Sequence, residues 1–88
     1  MIQAPEIEAA LLDFMRREVF APEVALTPET DLVAAGFDSM SLVRVLLFVE
    51  TKFGLWIPEK EITGVALSNV RSLAATVCRL LHDRKSAT

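Results

Sequence analysis

Residues 38–54 read DSMSLVRVLLFVETKFG, and this stretch decides the fold of the 88-residue chain. Its apolar residues recur at helical spacing, which predicts a helix from Ser39 to about Phe53. Gly54 is a residue type that commonly ends a helix, because glycine adopts a left-handed conformation without steric cost. One apolar stripe of this helix would face a core: Leu42, Val45, Leu46, Val49 and Phe53. The stretch therefore predicts an amphipathic helix that packs in a small bundle.

The same helix carries a second apolar stripe, formed by Met40, Val43 and Leu47. Two interpretations are open for it. Either the helix is central and buried nearly all round, or the second stripe is exposed and docks partner proteins, as amphipathic helices do in grooves. The charged residues of the helix give it a net charge of +1: Arg44, Lys52 and Glu50.

Helical patterns continue on both sides of this stretch. The predicted helices cover residues 5–20, 39–53 and 58–63, followed by a last helix that begins after Ser68 or Asn69 and ends near His82. We therefore expect an all-α fold, a small four-helix bundle with three longer helices and a short third one. One domain would span residues 1–88, with its core at about residues 5–82 and a frayed tail at residues 83–88.

The connection over residues 21–38 is long for a compact domain, and loops of that length tend to be functional or disordered. Apolar residues along it can pin it to the core, and we therefore expect an ordered loop: Leu26, Leu32, Val33 and Phe37.

Composition and charge exclude several classes of protein. Apolar residues make up 52% of the chain and the net charge is −3, which indicates a globular domain and not a disordered one. No stripe of Lys and Arg with interleaved aromatics is present, so nucleic-acid binding is not expected. No apolar run is long enough to span a membrane and the start lacks a leader pattern, so we expect a cytoplasmic protein that is not membrane-embedded.

The chain has a single cysteine, Cys78, which excludes an internal disulfide. A free cysteine at this position fits a packed side chain.

Ser39 is the candidate functional residue, because it follows a polar loop and opens an apolar helix. The N–H groups and the dipole of such a helix terminus favour a bound phosphate. The run from Asp31 to Leu42 strongly resembles the acyl, peptidyl and aminoacyl carrier proteins. That resemblance implies that Ser39 carries a 4'-phosphopantetheine arm from coenzyme A. It also implies that Asp38 assists the phosphopantetheinyl transferase and its Mg²⁺. From the residues alone Asp38 is a helix cap, and the two roles can coexist.

The resemblance extends from residues 27–32 to the last helix and includes the run Phe-Gly-x-x-Ile-Pro at residues 53–58. The sequence looks most like the D-alanyl carrier proteins and also resembles the small carriers that are charged by amino-acid ligases. The resemblance implies a stand-alone carrier that holds an aminoacyl or acyl thioester. Because a carrier that visits several enzymes gains nothing obvious from dimerisation, we expect a monomer. Its implied partners are the transferase, an amino-acid- or acyl-activating ligase and a downstream acyl or aminoacyl transferase. The weakly charged second helix departs from the acidic helix of carriers in fatty-acid synthesis.

Docking residues are expected along the second helix and in the segment that follows it: Met40, Val43, Arg44, Leu47, Trp56, Ile62 and Val65. Alternatives are open for three of them. Ile62 and Val65 either lie beside the arm or belong to the core, and Trp56 is either an exposed contact or packs partly on its own domain.

Two further functions compete with a carrier. Ser39, an aspartate and His82 supply the residue types of a hydrolase triad, but the Gly-x-Ser-x-Gly turn is missing, so we expect no enzyme. The stronger alternative is an unmodified helical module that kept a carrier-like fold and binds other proteins.

Overall fold

The computed structural model describes residues 2–86 and shows three α-helices joined by ordered loops. Helix α1 spans Ala4–Glu18, α2 spans Ser39–Phe53 and α3 spans Val70–Ser86. A short 3-10 segment, Glu59–Glu61, lies between α2 and α3. Within the described residues there is no strand, which confirms the all-α class.

Local chemistry sets the ends of α2 as predicted. At its start the Asp38 side chain accepts a hydrogen bond from the N–H of Ser41, 2.9 Å away. At its end Gly54 has φ +67°, and its N–H donates to the Glu50 carbonyl. A capping carboxylate is a common start signal of a helix, and a left-handed glycine is a common stop signal. Both ends of α2 were therefore readable from the sequence.

The other helices differ from the prediction at their ends. Helix α1 stops two residues early because the N–H groups of Val19 and Phe20 both donate to the Met15 carbonyl, which closes the helix there. In place of the predicted short third helix the structure has a single 3-10 turn, since Pro58 is extended and lies outside it. Residues 83–86, placed by the sequence in a frayed tail, continue α3. Residues 87 and 88 lie outside the described part.

The core lies where α1, α2 and α3 meet. Its fully buried side chains come from all three helices and from the loop before α2: Ile7, Leu11, Met15, Leu32, Val45, Val49, Val70 and Val77. Burial of such side chains stabilises the fold by roughly 1.5–3 kcal/mol each. Because Val45 and Val49 fill the inward side of α2, its opposite side is turned away from the core.

The long loop is ordered, as expected, and is held against the start of α3. The N–H of Leu32 donates to the Ser68 carbonyl, and the N–H of Arg71 donates to the Pro28 carbonyl, each at 3.0 Å. The Arg71 side chain also pairs with Glu29 of the loop. Leu26 and Leu32 are buried, whereas Val33 is 70% exposed, so its predicted anchoring role is wrong. Val33 belongs to a tight turn at residues 32–37, in which Val33 and Ala34 are both exposed.

Candidate functional site

Ser39 is the first residue of α2 and lies on the surface. Within the described residues its hydroxyl makes no hydrogen bond, and its neighbours Asp38 and Met40 are exposed as well. An exposed hydroxyl at a helix start is accessible to a second protein. The positive end of the helix dipole also favours an anionic group at this position.

A glycine turn places Ser39 at the surface. The N–H of Phe37 donates to the Leu32 carbonyl at 2.9 Å, and the N–H of Gly36 donates to the Val33 carbonyl at 3.1 Å. These two bonds are the pattern of a Schellman motif, whose closing residue has a positive φ. Gly36 has φ +108°, a conformation that side-chain-bearing residues rarely adopt. The turn sends Phe37 back toward the core and leaves the next two residues outside.

Asp38 caps α2 through its side chain. Its Oδ1 accepts a hydrogen bond from the N–H of Ser41 at 2.9 Å and another from the Ser41 hydroxyl at 3.0 Å. The backbone N–H of Ser41, followed by its hydroxyl, holds the pKa of the Asp38 carboxyl below its ordinary value. The charged carboxylate therefore lies next to Ser39. The capping interpretation of Asp38 is confirmed, and its role toward a transferase stays a prediction.

A shallow hollow lies beside Ser39. It has a volume of about 270 Å³ and is lined by Val33, Phe37, Asp38, Ser39, Leu42, Gly64 and Leu67. Most of these side chains are apolar, so the hollow can accept an apolar portion of a group attached at Ser39. Sequence reasoning missed Gly64 and Leu67, because nothing in a local pattern reveals that the segment before α3 folds against the loop before α2.

The second apolar stripe of α2 faces solvent. Met40 is 64% exposed, Val43 48% and Leu47 54%. The interpretation in which α2 is buried nearly all round is therefore wrong. Arg44 lies at the edge of the stripe, where its guanidinium donates a 3.2 Å hydrogen bond to the Glu18 carbonyl at the end of α1. The exposed strip formed by Met40, Val43 and Leu47 is here called the α2 strip.

The remaining predicted docking residues do not share one environment. Trp56 is exposed, between the buried Leu55 and Ile57. Val65 is also exposed, so its core interpretation is wrong. Ile62 is half-buried and packs against the core cluster, which fits its core interpretation. Their roles in docking stay predictions.

Features that would indicate an enzyme, a metal-binding protein or a membrane protein do not lie around Ser39. His82 lies at the far end of α3, where its Nε2 is 3.3 Å from the Ile2 carbonyl and 3.7 Å from Cys78 Sγ. Among the described residues no cluster of three or more metal-ligating side chains occurs. No helix in that part of the chain is both long enough and apolar enough to cross a membrane.

Comparison with protein families decides the identity of the domain. The family described as "phosphopantetheine attachment site" matches residues 9–77, which include the whole of α2 and the turn before it. The chain belongs to this family of carrier proteins. The predicted recognition is confirmed, and so is the predicted fold class.

Two known proteins resemble this carrier over most of its length. Aminoacyl carrier protein 1 of Bradyrhizobium diazoefficiens is 36% identical over 62 residues, which cover 70% of this chain and 69% of that protein. A second match is the crystal structure of a Bradyrhizobium japonicum glycine:[carrier protein] ligase complexed with glycylated carrier protein. Its TM-score is 0.64 at 29% identity, over 83% of this chain and 96% of that chain.

The family fixes the cofactor class and the non-catalytic nature of the domain. Its defining group is a covalently attached 4'-phosphopantetheine, in agreement with the prediction. The similar Bradyrhizobium protein is a carrier, and the prediction that this chain is no enzyme is confirmed. The site fits such a group, since an exposed hydroxyl, a helix N-terminus and an apolar hollow lie together at Ser39.

Proposed function

We propose that Ser39 carries the 4'-phosphopantetheine and that the holo protein is a stand-alone carrier of an aminoacyl group. The observation that carries this proposal is the exposed Ser39 hydroxyl at the N-terminus of α2, inside the region matched by the family. When bound, the group supplies a terminal thiol that holds the cargo as a thioester. The protein supplies position and recognition.

The residues around Ser39 support distinct roles. The N-terminus of α2 favours the phosphodiester through its dipole. Asp38 presents its carboxylate to the transferase and to the Mg²⁺ that accompanies coenzyme A. Val33, Leu42 and Leu67 line the hollow and offer an apolar surface beside the attachment point.

An aminoacyl cargo is favoured over other acyl groups by the two similar proteins. One is named an aminoacyl carrier protein, and the other is glycylated in complex with a glycine ligase. The weak charge of α2 agrees with this choice, since it carries Arg44, Lys52 and Glu50 and no acidic cluster. The partners in this scheme are a phosphopantetheinyl transferase, an amino-acid-activating ligase and a downstream aminoacyl transferase. A monomeric state and a cytoplasmic location stay predictions.

Docking of these partners is assigned to the α2 strip. Its three apolar side chains begin one residue after Ser39 and continue along the helix for two turns, so a partner that covers them has Ser39 at the edge of the contact. Exposed apolar side chains at such a position release water when a partner covers them. Arg44, Trp56, Ile62 and Val65 are further proposed contacts.

Attachment is tested by intact-protein mass after incubation with coenzyme A, Mg²⁺ and a broad-specificity phosphopantetheinyl transferase. The native chain should gain one phosphopantetheinyl group, and Ser39→Ala should gain none. Ser41→Ala removes the other hydroxyl of the same helix start and is the matched control; at the end point it should still gain the group. No gain on the native chain, with an active transferase and a folded protein, would favour the unmodified binding module.

The cargo is tested separately on the holo protein. Incubation with ATP, an amino-acid:carrier-protein ligase and single amino acids, glycine among them, should add one aminoacyl group to the mass. Hydroxylamine should remove this group, because it cleaves thioesters. Holo protein that takes up simple acyl groups from acyl ligases but no amino acid would keep the carrier function and reject the aminoacyl assignment.

A further inference from the structure

Ser41 is the one buried polar residue among those that the structure describes, with 9% of its surface exposed. Its N–H and its hydroxyl both donate to a single atom, Oδ1 of Asp38, at 2.9 and 3.0 Å. Two donors on one carboxylate oxygen restrict rotation of the carboxylate more than a single cap bond does. Asp38 itself remains exposed, so its carboxylate is oriented and accessible at once.

A simple helix cap does not require the hydroxyl. The N–H of Ser41 alone completes the N-cap bond. A buried hydroxyl is unfavourable unless it is hydrogen-bonded, and an alanine would suit an inward position without that requirement. The Ser41 hydroxyl makes its bond to Asp38, next to the proposed attachment residue. The bond from the hydroxyl is therefore additional to the one that caps the helix.

We propose that Ser41 is a positioning residue for the attachment reaction, in that it holds the Asp38 carboxylate in the orientation that the transferase and its Mg²⁺ meet beside Ser39. This inference rests on the proposed function of Ser39. In the reaction Ser39 Oγ forms a bond to the phosphorus nearest the pantetheine of coenzyme A. The pyrophosphate bond to that phosphorus breaks, adenosine 3',5'-bisphosphate leaves with the electron pair, and the serine proton passes to a base of the transferase.

The first test is the steady-state kinetics of the transferase on the full-length apo chain. Ser41→Ala should lower kcat about tenfold, the lower end of the range for loss of a residue that orients a metal-contacting group. The KM for the carrier should stay the same, since the α2 strip is unchanged. Ser41→Thr keeps a hydroxyl and should restore kcat. Asp38→Glu moves the carboxylate away from Ser41 and should lower kcat as Ser41→Ala does.

A double-mutant cycle separates positioning from a general structural role. If Ser41 acts through Asp38, then Ser41→Ala should have no further effect on kcat in an Asp38→Asn chain. Melting temperatures of all variants show whether they are folded. A native kcat in Ser41→Ala, a change confined to KM, or an equal loss in both backgrounds would overturn the role of Ser41 and leave Ser39 as the attachment site. No modification of the native chain would overturn both.

Discussion

The rings of Phe14 in α1 and Phe48 in α2 stack face to face, with centroids 4.3 Å apart and planes 12° from parallel. Phe48 also makes an edge contact with Phe53, 6.2 Å away. Both stacked rings line a surface hollow together with Leu47 and Arg44. The stack therefore packs α2 against α1 beside Leu47, the last residue of the α2 strip.

Loss of this stack should destabilise the protein while most of the apolar volume is kept. We expect Phe48→Leu to lower the free energy of unfolding by about 1 kcal/mol, because aromatic pairs contribute about 0.5–1.5 kcal/mol beyond their buried area. Urea denaturation measures the effect. A double-mutant cycle with Phe14→Leu should give a coupling energy in the same range, and a coupling near zero would contradict a stabilising stack.

Replacement of Gly36 should destabilise the turn before Ser39. At φ +108° a side chain is strained although no atom would contact its Cβ, and we expect Gly36→Ala to cost about 1–3 kcal/mol. Gly64→Ala is the matched control, since Gly64 has equal space and no positive φ. Thermal and urea unfolding of both variants test the prediction. Equal stabilities would show that the turn tolerates a side chain.

The cap at Asp38 should make stability depend on pH in one direction. Hydrogen bonds from Ser41 hold the pKa of the Asp38 carboxyl below its ordinary value of 3.8, to which it returns on unfolding. The ionised carboxylate thus stabilises the fold above about pH 4, and this contribution is lost as the pH falls through the lowered pKa. Asp38→Asn should be less stable than the native chain at pH 7 and approach it in acid. Urea titrations at both pH values test this, and a gap that does not change with pH would contradict it.

The sequence predicted α2 well because its signals are local. Asp38, Gly54 and the apolar spacing between them lie within one stretch, and each acts on its own neighbours in the chain. The position of Ser39 at a helix start follows from those signals. The resemblance to carrier proteins rests on the same stretch, which the family match includes.

The features that sequence reasoning missed depend on contacts between distant segments or on the detail of a turn. The hollow beside Ser39 needs Leu67 from the segment before α3, 28 positions along the chain. Val33 resembled a core residue, but the turn that ends at Gly36 exposes it. The bond from the Ser41 hydroxyl to Asp38 depends on the rotamer of the Ser41 side chain, which the spacing of Ser41 from the cap does not determine.

The α2 strip should recognise partners by apolar contact and not by charge. Full burial of a leucine side chain contributes about 1.5–3 kcal/mol, and a partner can bury the 54% of Leu47 that is exposed. Leu47→Ser should therefore lower kcat/KM for charging by the ligase about fivefold to tenfold. Its melting temperature should be nearly native, because Leu47 is exposed. Ala75→Ser, an exposed position on α3, is the control.

The rate at which the ligase charges the native chain should also change little with salt, since Arg44 and Glu50 beside the strip offset each other. A steep salt dependence together with unchanged charging of Leu47→Ser would instead assign recognition to charged residues.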